Sequence, residues 1–227
     1  MTYNIRGTKG MDNRRSAKRI ADVIRESGAQ IVCLQEMHQR LPYSRMVDQP
    51  KVLARSLGMN VTFGINLKMG IGNYGNAVLT NSEIVRTQNH ALTSKGETRG
   101  ALEVGLMTPD GPLTVFCTHF GLNSGERATQ GKELAAWVDA VPKPVIVCGD
   151  FNDIPTSYTF STIKGKDLVD GFREAGSWLG GTYRGMGGLL RIDYILHSKE
   201  FKCIDYSNPN IDLSDHRPVM SKLVFRN

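Results

Sequence analysis

A mixed α/β fold, with strands gathered into a sheet system and helices outside it, is what this sequence predicts. Three observations lead there. Strand-like apolar runs outnumber helical patterns along the chain. The middle third is nearly all strand, which implies hairpins, and "TPDGPL" at residues 108–113 is a strong turn signal between two of them. Apolar residues make up 40% of the 227, enough for a real core. A strict β–α–β alternation fits this order less well than a mixed sheet does. No repeat, low-complexity tract or long linker interrupts the chain, so residues 1–227 are expected to form one domain.

The elements follow in order. Strands are expected at residues 2–6, 30–35, 60–65, 76–80, 84–91, 99–107, 113–118, 145–148, 192–197 and 218–225. The first helix covers residues 12–28, capped by Asp12 or Asn13, with an apolar stripe of Ile20, Val23 and Ile24 and a stop at Gly28. The second runs from near Asp48 to Gly58. The third, residues 124–141, takes Ser124 as its cap and sets Leu134, Val138 and Val141 on one face. A short helix is expected in "DLVDGFREAG" at residues 167–176.

The net charge of +6 favours an anionic partner, though a basic surface alone names none. Cys33, Cys117 and Cys148 lie within apolar runs, and the chain's four cysteines include no CxxC pair. They read as reduced core residues, which favours a reducing, cytoplasmic setting, with a disulfide left open. No apolar run approaches the roughly 20 residues a membrane helix needs. No signal peptide is visible, and export stays open because a leader could precede Met1.

The chemistry gathers at strand ends. "IVCLQE" is an apolar strand that closes on Gln35 and Glu36. "LTVFCTHF" closes on Thr118 and His119, and "VIVCGDFND" on Asp150, Asn152 and Asp153. "RIDYILHS" carries Asp193 inside an apolar run, "DLSDHRPV" sets Asp215 and His216 before the last strand, and "TYNI" places Asn4 in the first. Each signal alone has an ordinary explanation. Glu36 reads as a solvated strand end, Asp150 with Asn152 as a turn, and residues 215–218 as a polar loop. Asp193 between Ile192 and Tyr194 resists such a reading, because a buried carboxylate needs a partner. Strand ends cluster at one sheet edge, and carboxylates gathered there repel one another unless a hard cation sits among them.

Taken in order, Asn4, "QE", the arginine of "ETRGAL", "THF", "GDFND", "RIDYI" and "SDHRP" resemble the endonuclease/exonuclease/phosphatase superfamily, the deoxyribonuclease I-like proteins. The resemblance spans positions 4 to 218. It implies a four-layer α/β/β/α sandwich of two packed mixed sheets flanked by helices. It implies Mg²⁺-dependent hydrolysis of phosphate esters by an activated water, with Mn²⁺ as a substitute. Position by position, Glu36 resembles the main metal-ligand carboxylate and Asp215 a further ligand, with Asn4 near metal and phosphate. His216 resembles the catalytic histidine and Asp193 the carboxylate that orients it. Asp150 and Asn152 match the pair that activates the nucleophile or contacts phosphate, and His119 and Arg99 match groups that contact phosphate oxygens. One departure stands out. Related nucleases support the histidine matching His119 with a second carboxylate, whereas Asn73 and Asn76 occupy the region where it is expected here. His119 itself argues against the abasic-site endonucleases, which usually carry tyrosine there.

Nucleic acid fits the charge best as substrate. A small phosphorylated metabolite or a lipid headgroup is the alternative, and a non-catalytic nucleic-acid-binding relative is a third reading. A lipid-cleaving enzyme would want exposed apolar loops, and none is evident in the sequence. Arg40, Tyr43 and Arg45, in the loop after Glu36, are candidates for a groove that tracks a nucleic-acid backbone or for a solvated loop. Arg14, Arg15, Lys18 and Arg19 make the first helix basic, which reads as a solvated face before it reads as a nucleic-acid stripe. A monomer is expected.

Overall fold

In a computed structural model that describes residues 1–177 and 180–226, the expected strands assemble into two facing mixed sheets. The first runs in the order β1 (Thr2–Asn4), β2 (Ile31–Gln39), β4 (Gly72–Thr80), β3 (Asn60–Met69). The second runs β5 (Glu83–Leu92), β6 (Arg99–Thr108), β7 (Gly111–His119), β8 (Val145–Asp150), β10 (Asp193–Ser198), β9 (Leu168–Asp170). A separate ribbon of β11 (Phe201–Ser207) and β12 (Met220–Phe225) is joined to the first sheet by paired backbone hydrogen bonds between Thr2 and Val219. Among the described residues, only β1 with β2 and β7 with β8 pair in parallel.

Side-chain alternation along each strand builds the layers. Val32 and Leu34 of β2 pack with Ile20, Ala21 and Ile24 of α1 (Ala17–Ser27) and Leu53 of α2 (Gln49–Leu57). Cys33, between them in sequence, points the other way and meets Val115, Cys117, Ile146 and Cys148 of the second sheet. Phe116, Val145 and Val147 in turn face Leu134 and Val138 of α3 (Ser124–Ala140) and Phe160 and Ile163 of α4 (Tyr158–Lys164). The result is the four-layer order helix, sheet, sheet, helix. Each fully buried side chain of this kind stabilises by about 1.5–3 kcal/mol, so the three cores hold the layers more firmly than local propensity does.

Local hydrogen bonding moved several expected boundaries. The first helix begins at Ala17, with the Ser16 hydroxyl accepting from the Arg19 N–H. Asp12 instead accepts from the Arg14 N–H in a turn, and Asn13 adopts a left-handed φ of 62°. The third helix is capped by Asn123, whose side chain accepts from Gly125 and Glu126 N–H, one residue before Ser124. Gly28 and Gly58 end their helices in the left-handed conformation, as expected. Residues 167–176 divide into strand β9 and a short helix, α5 (Gly171–Ala175), capped by Asp170. The last strand starts at Met220, because Pro218 has no N–H to give a ladder. β11 and α4 had no counterpart in the sequence reading.

This topology brings many chain segments to one edge. The ends of β1 and β2 lie there in the first sheet, with the end of β3 and the start of β4 beside them. In the second sheet, β7 and β8 end at that edge while their antiparallel neighbours β6 and β10 begin there. The β6–β7 turn at residues 108–111 lies at the opposite edge. Gly149 in β8 sits against the Thr118 carbonyl so closely that a Cβ would collide with it. That contact explains a glycine in an otherwise bulky apolar strand.

All four cysteines are buried and free. Hydrogen bonding with Cys117 and burial push the Cys33 thiol well above its ordinary range, and contact with Cys33 followed by burial does the same to Cys148. A bulky thiol reagent is expected to leave Cys33, Cys117 and Cys148 unmodified in the native protein and to label them on denaturation. Mass spectrometry after a short labelling pulse reads this out, and rapid native labelling of all three would contradict the packing.

Candidate active site

The site is built where the two sheets meet at the shared edge. Asn4, the last residue of β1, is the joint. Its Nδ2 donates to Glu36 Oε1 at 3.0 Å and to Asp150 Oδ2 at 3.0 Å, bridging the first sheet to the second. Its Oδ1 accepts from the Arg6 N–H at 3.1 Å, which fixes the orientation of the amide. Glu36 sits in a bulge of β2, where the register with β4 shifts between Leu34 and Met37, and it adopts a φ of 57°. The bulge re-aims the glutamate toward Asn4. Burial raises the Glu36 carboxyl above its usual range, the Asn4 hydrogen bond holds it down, and the Asp215 charge lifts it again.

Asp150 is the centre of the second sheet's contribution. It lies level with His119 across β7 and with Asp193 across β10. Its Oδ2, besides meeting Asn4, is 3.4 Å from His119 Nε2 and 3.5 Å from His216 Nε2. Its Oδ1 accepts from the Asn152 N–H at 2.9 Å, an Asx turn that holds Asn152 at a φ of 49°. The Asn152 side chain is committed to the Phe120 carbonyl at 2.9 Å. Burial raises the Asp150 carboxyl, and the Asp193 charge adds to the rise. The His216 charge and the hydrogen bonds from Asn4 and Asn152 oppose it.

His216 Nδ1 is 2.9 Å from Asp193 Oδ2. Burial disfavours the charged ring, but the Asp193 and Asp150 carboxylates together outweigh it and raise its pKa to about 10. Thr182 Oγ1 accepts from the backbone N–H groups of Ile192 and Asp193 at 3.1 Å each and so pins the start of β10. Ser214 donates to the Asn4 carbonyl at 2.7 Å, and Asp215 lies 3.4 Å from Arg6 Nε. Tyr183 places its ring 5.0 Å from that of His216.

His119 has a different environment. Arg99 Nη1 lies 3.0 Å from its Nδ1. A guanidinium can only donate, so Nδ1 accepts and the ring proton resides on Nε2, facing Asp150. Burial, then the charges of Arg99 and His216, push the His119 pKa well below its ordinary value. The missing second carboxylate is thereby explained: an arginine stands at this ring nitrogen and sets the opposite tautomer. Asn76 is bound to the Gly100 carbonyl at 3.0 Å, and Asn73 to Gln39 at 2.8 Å, so neither serves His119.

All the expected site residues therefore converge: Asn4, Glu36, Arg99, His119, Asp150, Asn152, Asp193, Asp215 and His216. Arg6, Ser214, Thr182 and the buried Tyr74 beside Glu36 and Arg99 were not singled out in the sequence. The serine of "SDH" was a visible signal. The others reach the site through side chains from positions distant in sequence, which leaves no local pattern. Among the described residues, Asp150, Asp193 and His216 bring ligand atoms within 4.8 Å of one another. His216 Nδ1 is already engaged by Asp193, so that trio reads as a hydrogen-bonded cluster. A hard cation fits the oxygens around Glu36 better, where burial and the Asp215 charge leave a carboxylate in want of positive charge.

The outer loops and the first helix take ordinary roles. On α1, Lys18 pairs with Asp22 at 2.8 Å, and nearby Arg19 pairs with Asp12 at 2.7 Å, as on a solvated face. Arg40, Tyr43 and Arg45 are exposed beside the cleft.

The sequence profile described as the Endonuclease/Exonuclease/phosphatase family matches residues 1–216. The Escherichia coli (strain K12) protein YbhP, itself described as uncharacterised, is 29% identical over 98% of this chain and 94% of its own. A solved endonuclease/exonuclease/phosphatase structure from Beutenbergia cavernae superposes with a TM-score of 0.84 at 23% identity, over 99% of this chain and 70% of that one. A mannosyl-6-phosphatase of Bacteroides thetaiotaomicron superposes with a TM-score of 0.77 at 21% identity, over 99% and 98%.

Three predictions rest on this geometry. His216→Ala is expected to lower kcat by about 10²–10⁴-fold, and Asp193→Asn to be severely impaired as well. The double variant should lose little more than the worse single one, since the pair acts as a unit. Losses that multiply would overturn the pairing. In the metal-free protein, the stability contributed by charged His216 is fully present below pH 6.5 and fades as pH rises through about 10. His216→Gln should flatten that alkaline loss in urea titrations. Separately, ¹⁵N-detected NMR should find His119 as the Nε2–H tautomer, and Arg99→Ala should abolish that preference. The same substitution should cost about 10²–10³-fold in kcat, the scale of losing one preorganised donor. A wild-type Nδ1–H tautomer would refute the role given to Arg99.

Proposed function

Because this chain belongs to the endonuclease/exonuclease/phosphatase family, we propose that it is a metal-dependent hydrolase of phosphodiesters, acting as one domain and as a monomer. The observation that carries the reading is the Asn4 amide, 3.0 Å from both Glu36 and Asp150, beside the His216–Asp193 pair. Glu36 and Asp215, with Asn4 beside them, would hold Mg²⁺ or Mn²⁺. The bound ion would neutralise charge that develops on the phosphate oxygens.

The chain's own groups supply the rest. Asp150, with its carboxyl raised by burial, is placed to accept a proton from the attacking water. As water oxygen bonds to phosphorus, the bond to the leaving oxygen breaks. His216, charged through Asp193, donates from Nε2 into the same space, and neutral His119 donates from its own Nε2–H. Arg99 fixes the His119 tautomer and adds positive charge at the phosphate side. Asn152 holds the Asp150 carboxylate by its backbone, and its side-chain amide, one N–H bound to the Phe120 carbonyl, keeps a second N–H for a phosphate oxygen.

Two ester classes are supported. Net charge of +6, with Arg40 and Arg45 exposed beside the cleft, supports nucleic acid. The second reading is a phosphodiester of a lipid headgroup or small metabolite, and apolar side chains exposed around the cleft favour it. The fold does not choose between them. A substrate panel with Mg²⁺, Mn²⁺ and EDTA, covering DNA, RNA, a phospholipid and a generic phosphodiester, separates the two.

Activity is expected to vanish in excess EDTA and to return with Mg²⁺ or Mn²⁺; full activity in EDTA would sink the metal requirement. Glu36→Ala should remove the rise in thermal midpoint that Mg²⁺ gives the wild type. In EDTA its midpoint should not fall, because the substitution deletes a half-buried carboxylate from a like-charged group. A Glu36→Ala protein with an unchanged Mg²⁺-dependent midpoint would move the ion elsewhere.

A further inference from the structure

The exposed apolar side chains of this protein are not spread evenly. Among the described residues, the most exposed large ones are Leu189 at 80%, Leu122 at 77% and Ile71 at 72%. Each lies in a loop at the edge that carries the site. Ile71 forms the tip of the β3–β4 hairpin, Leu122 follows the end of β7, and Leu189 precedes the start of β10. Tyr43 and Met69, exposed and in contact at 3.5 Å, extend the rim between the loop after β2 and the hairpin tip. At the opposite edge the corresponding side chains, Val85 and Met107, reach only 54% and 47%. Scattered exposed apolar residues are normal. Three nearly bare aliphatic tips on three separate loops around one cleft are not scatter.

Positive charge accompanies them. Lys68, at the end of β3, and Arg45 and Lys95, in loops, are exposed at the same edge, and among the described residues none of them forms an ion pair. The acidic groups nearby are largely spoken for: Glu97 pairs with Arg99 at 2.7 Å, Asp12 with Arg19 at 2.7 Å, and Asp212 with Arg184 at 2.7 Å. The rim thus combines aliphatic tips with uncommitted cations.

That combination selects an occupant. Single-stranded nucleic acid is gripped by stacking on aromatic faces. Among the described residues, the exposed ring on this rim is Tyr43, and the Arg15 guanidinium already lies 5.9 Å from its centroid. A protein partner is usually held by a contiguous packed centre with aromatic anchors, whereas these tips are separate. Aliphatic side chains that project singly, with basic residues among them, suit the boundary between anionic headgroups and acyl chains.

We propose that this rim seats the protein on an anionic lipid surface. Ile71, Leu122 and Leu189 enter the headgroup–acyl boundary, and Arg45, Lys68 and Lys95 face the lipid phosphates. The cleft then opens toward lipid phosphodiesters, which deepens the second substrate reading above; the docking itself does not require that any bond be cleaved.

The test is flotation of the full chain, in EDTA, with vesicles of phosphatidylcholine alone or of phosphatidylcholine with phosphatidylglycerol. The wild type should float with the anionic vesicles and stay behind with the neutral ones. Ile71→Asp, Leu122→Asp and Leu189→Asp together should weaken binding by at least about tenfold. Lys68→Glu with Lys95→Glu should weaken it and flatten its salt dependence. Circular dichroism and hydrolysis of a soluble phosphodiester, unchanged in the triple variant, show that fold and site are intact. Absence of wild-type flotation, or equal flotation of the triple variant, overturns the proposal. So does an oligonucleotide affinity that the same three substitutions abolish while flotation survives. A protein that floats but hydrolyses nothing would leave the docking standing and remove the phosphoesterase reading.

Discussion

The site depends on two sheets being held face to face at a fixed offset. Cys33 and Val78 on one side, and Val115, Cys117, Ile146 and Cys148 on the other, set that distance with apolar packing. At the edge of this dry layer one amide, Asn4, completes the contact by donating to a carboxylate from each sheet. Neither sheet alone carries a usable constellation: the first brings Glu36 and Asn4, the second His119, Asp150 and Asp193. A small slide of one sheet over the other would separate Asn4 from Asp150 while leaving the two helix-facing cores nearly intact. The tight fit of the interior is therefore a requirement of the chemistry as well as of stability.

Within that frame the two histidines are kept in different states by their second partners. His216 has a carboxylate behind it and is held charged, whereas His119 has a guanidinium behind it and is held neutral. Both present Nε2 to the same oxygen of Asp150. Three N–H groups, counting Asn4, thus face one point from three directions. A phosphate oxygen arriving beside that carboxylate would meet donors already oriented, at little reorganisation cost.

Much of this was legible in the sequence because strand periodicity and strand-end chemistry are local. "VIVCGD" declares a buried strand and names the carboxylate at its end; "RIDYI" and "SDHRP" do the same for their partners. What stayed hidden was non-local or geometric. The bulge that turns Glu36 toward Asn4 has no residue signature, since glutamate is not a usual left-handed residue. Arg99 meets His119 across paired strands, a contact that spacing of 20 residues does not reveal. Ser16 took the first cap because Asp12 was already engaged in a turn with Arg14, and Asn123 took the third from Ser124, a residue equally suited by type. The bare apolar tips were missed for a related reason. Ile71, Leu122 and Leu189 lie far apart in the chain, and only the folded edge gathers them.

The β6–β7 turn at residues 108–111 sits at the end of the sandwich remote from the cleft, with Asp110 exposed at its tip. Thr108 ties the turn through its hydroxyl to the Gly111 carbonyl at 2.7 Å and to the Asp110 N–H at 3.2 Å. This makes it a natural handle. A fluorophore or surface anchor attached at Asp110 would hold the molecule with its working edge outward. The rigid strands leading away from the turn would convert the handle's tilt into a direct measure of how the cleft is presented to whatever lies before it.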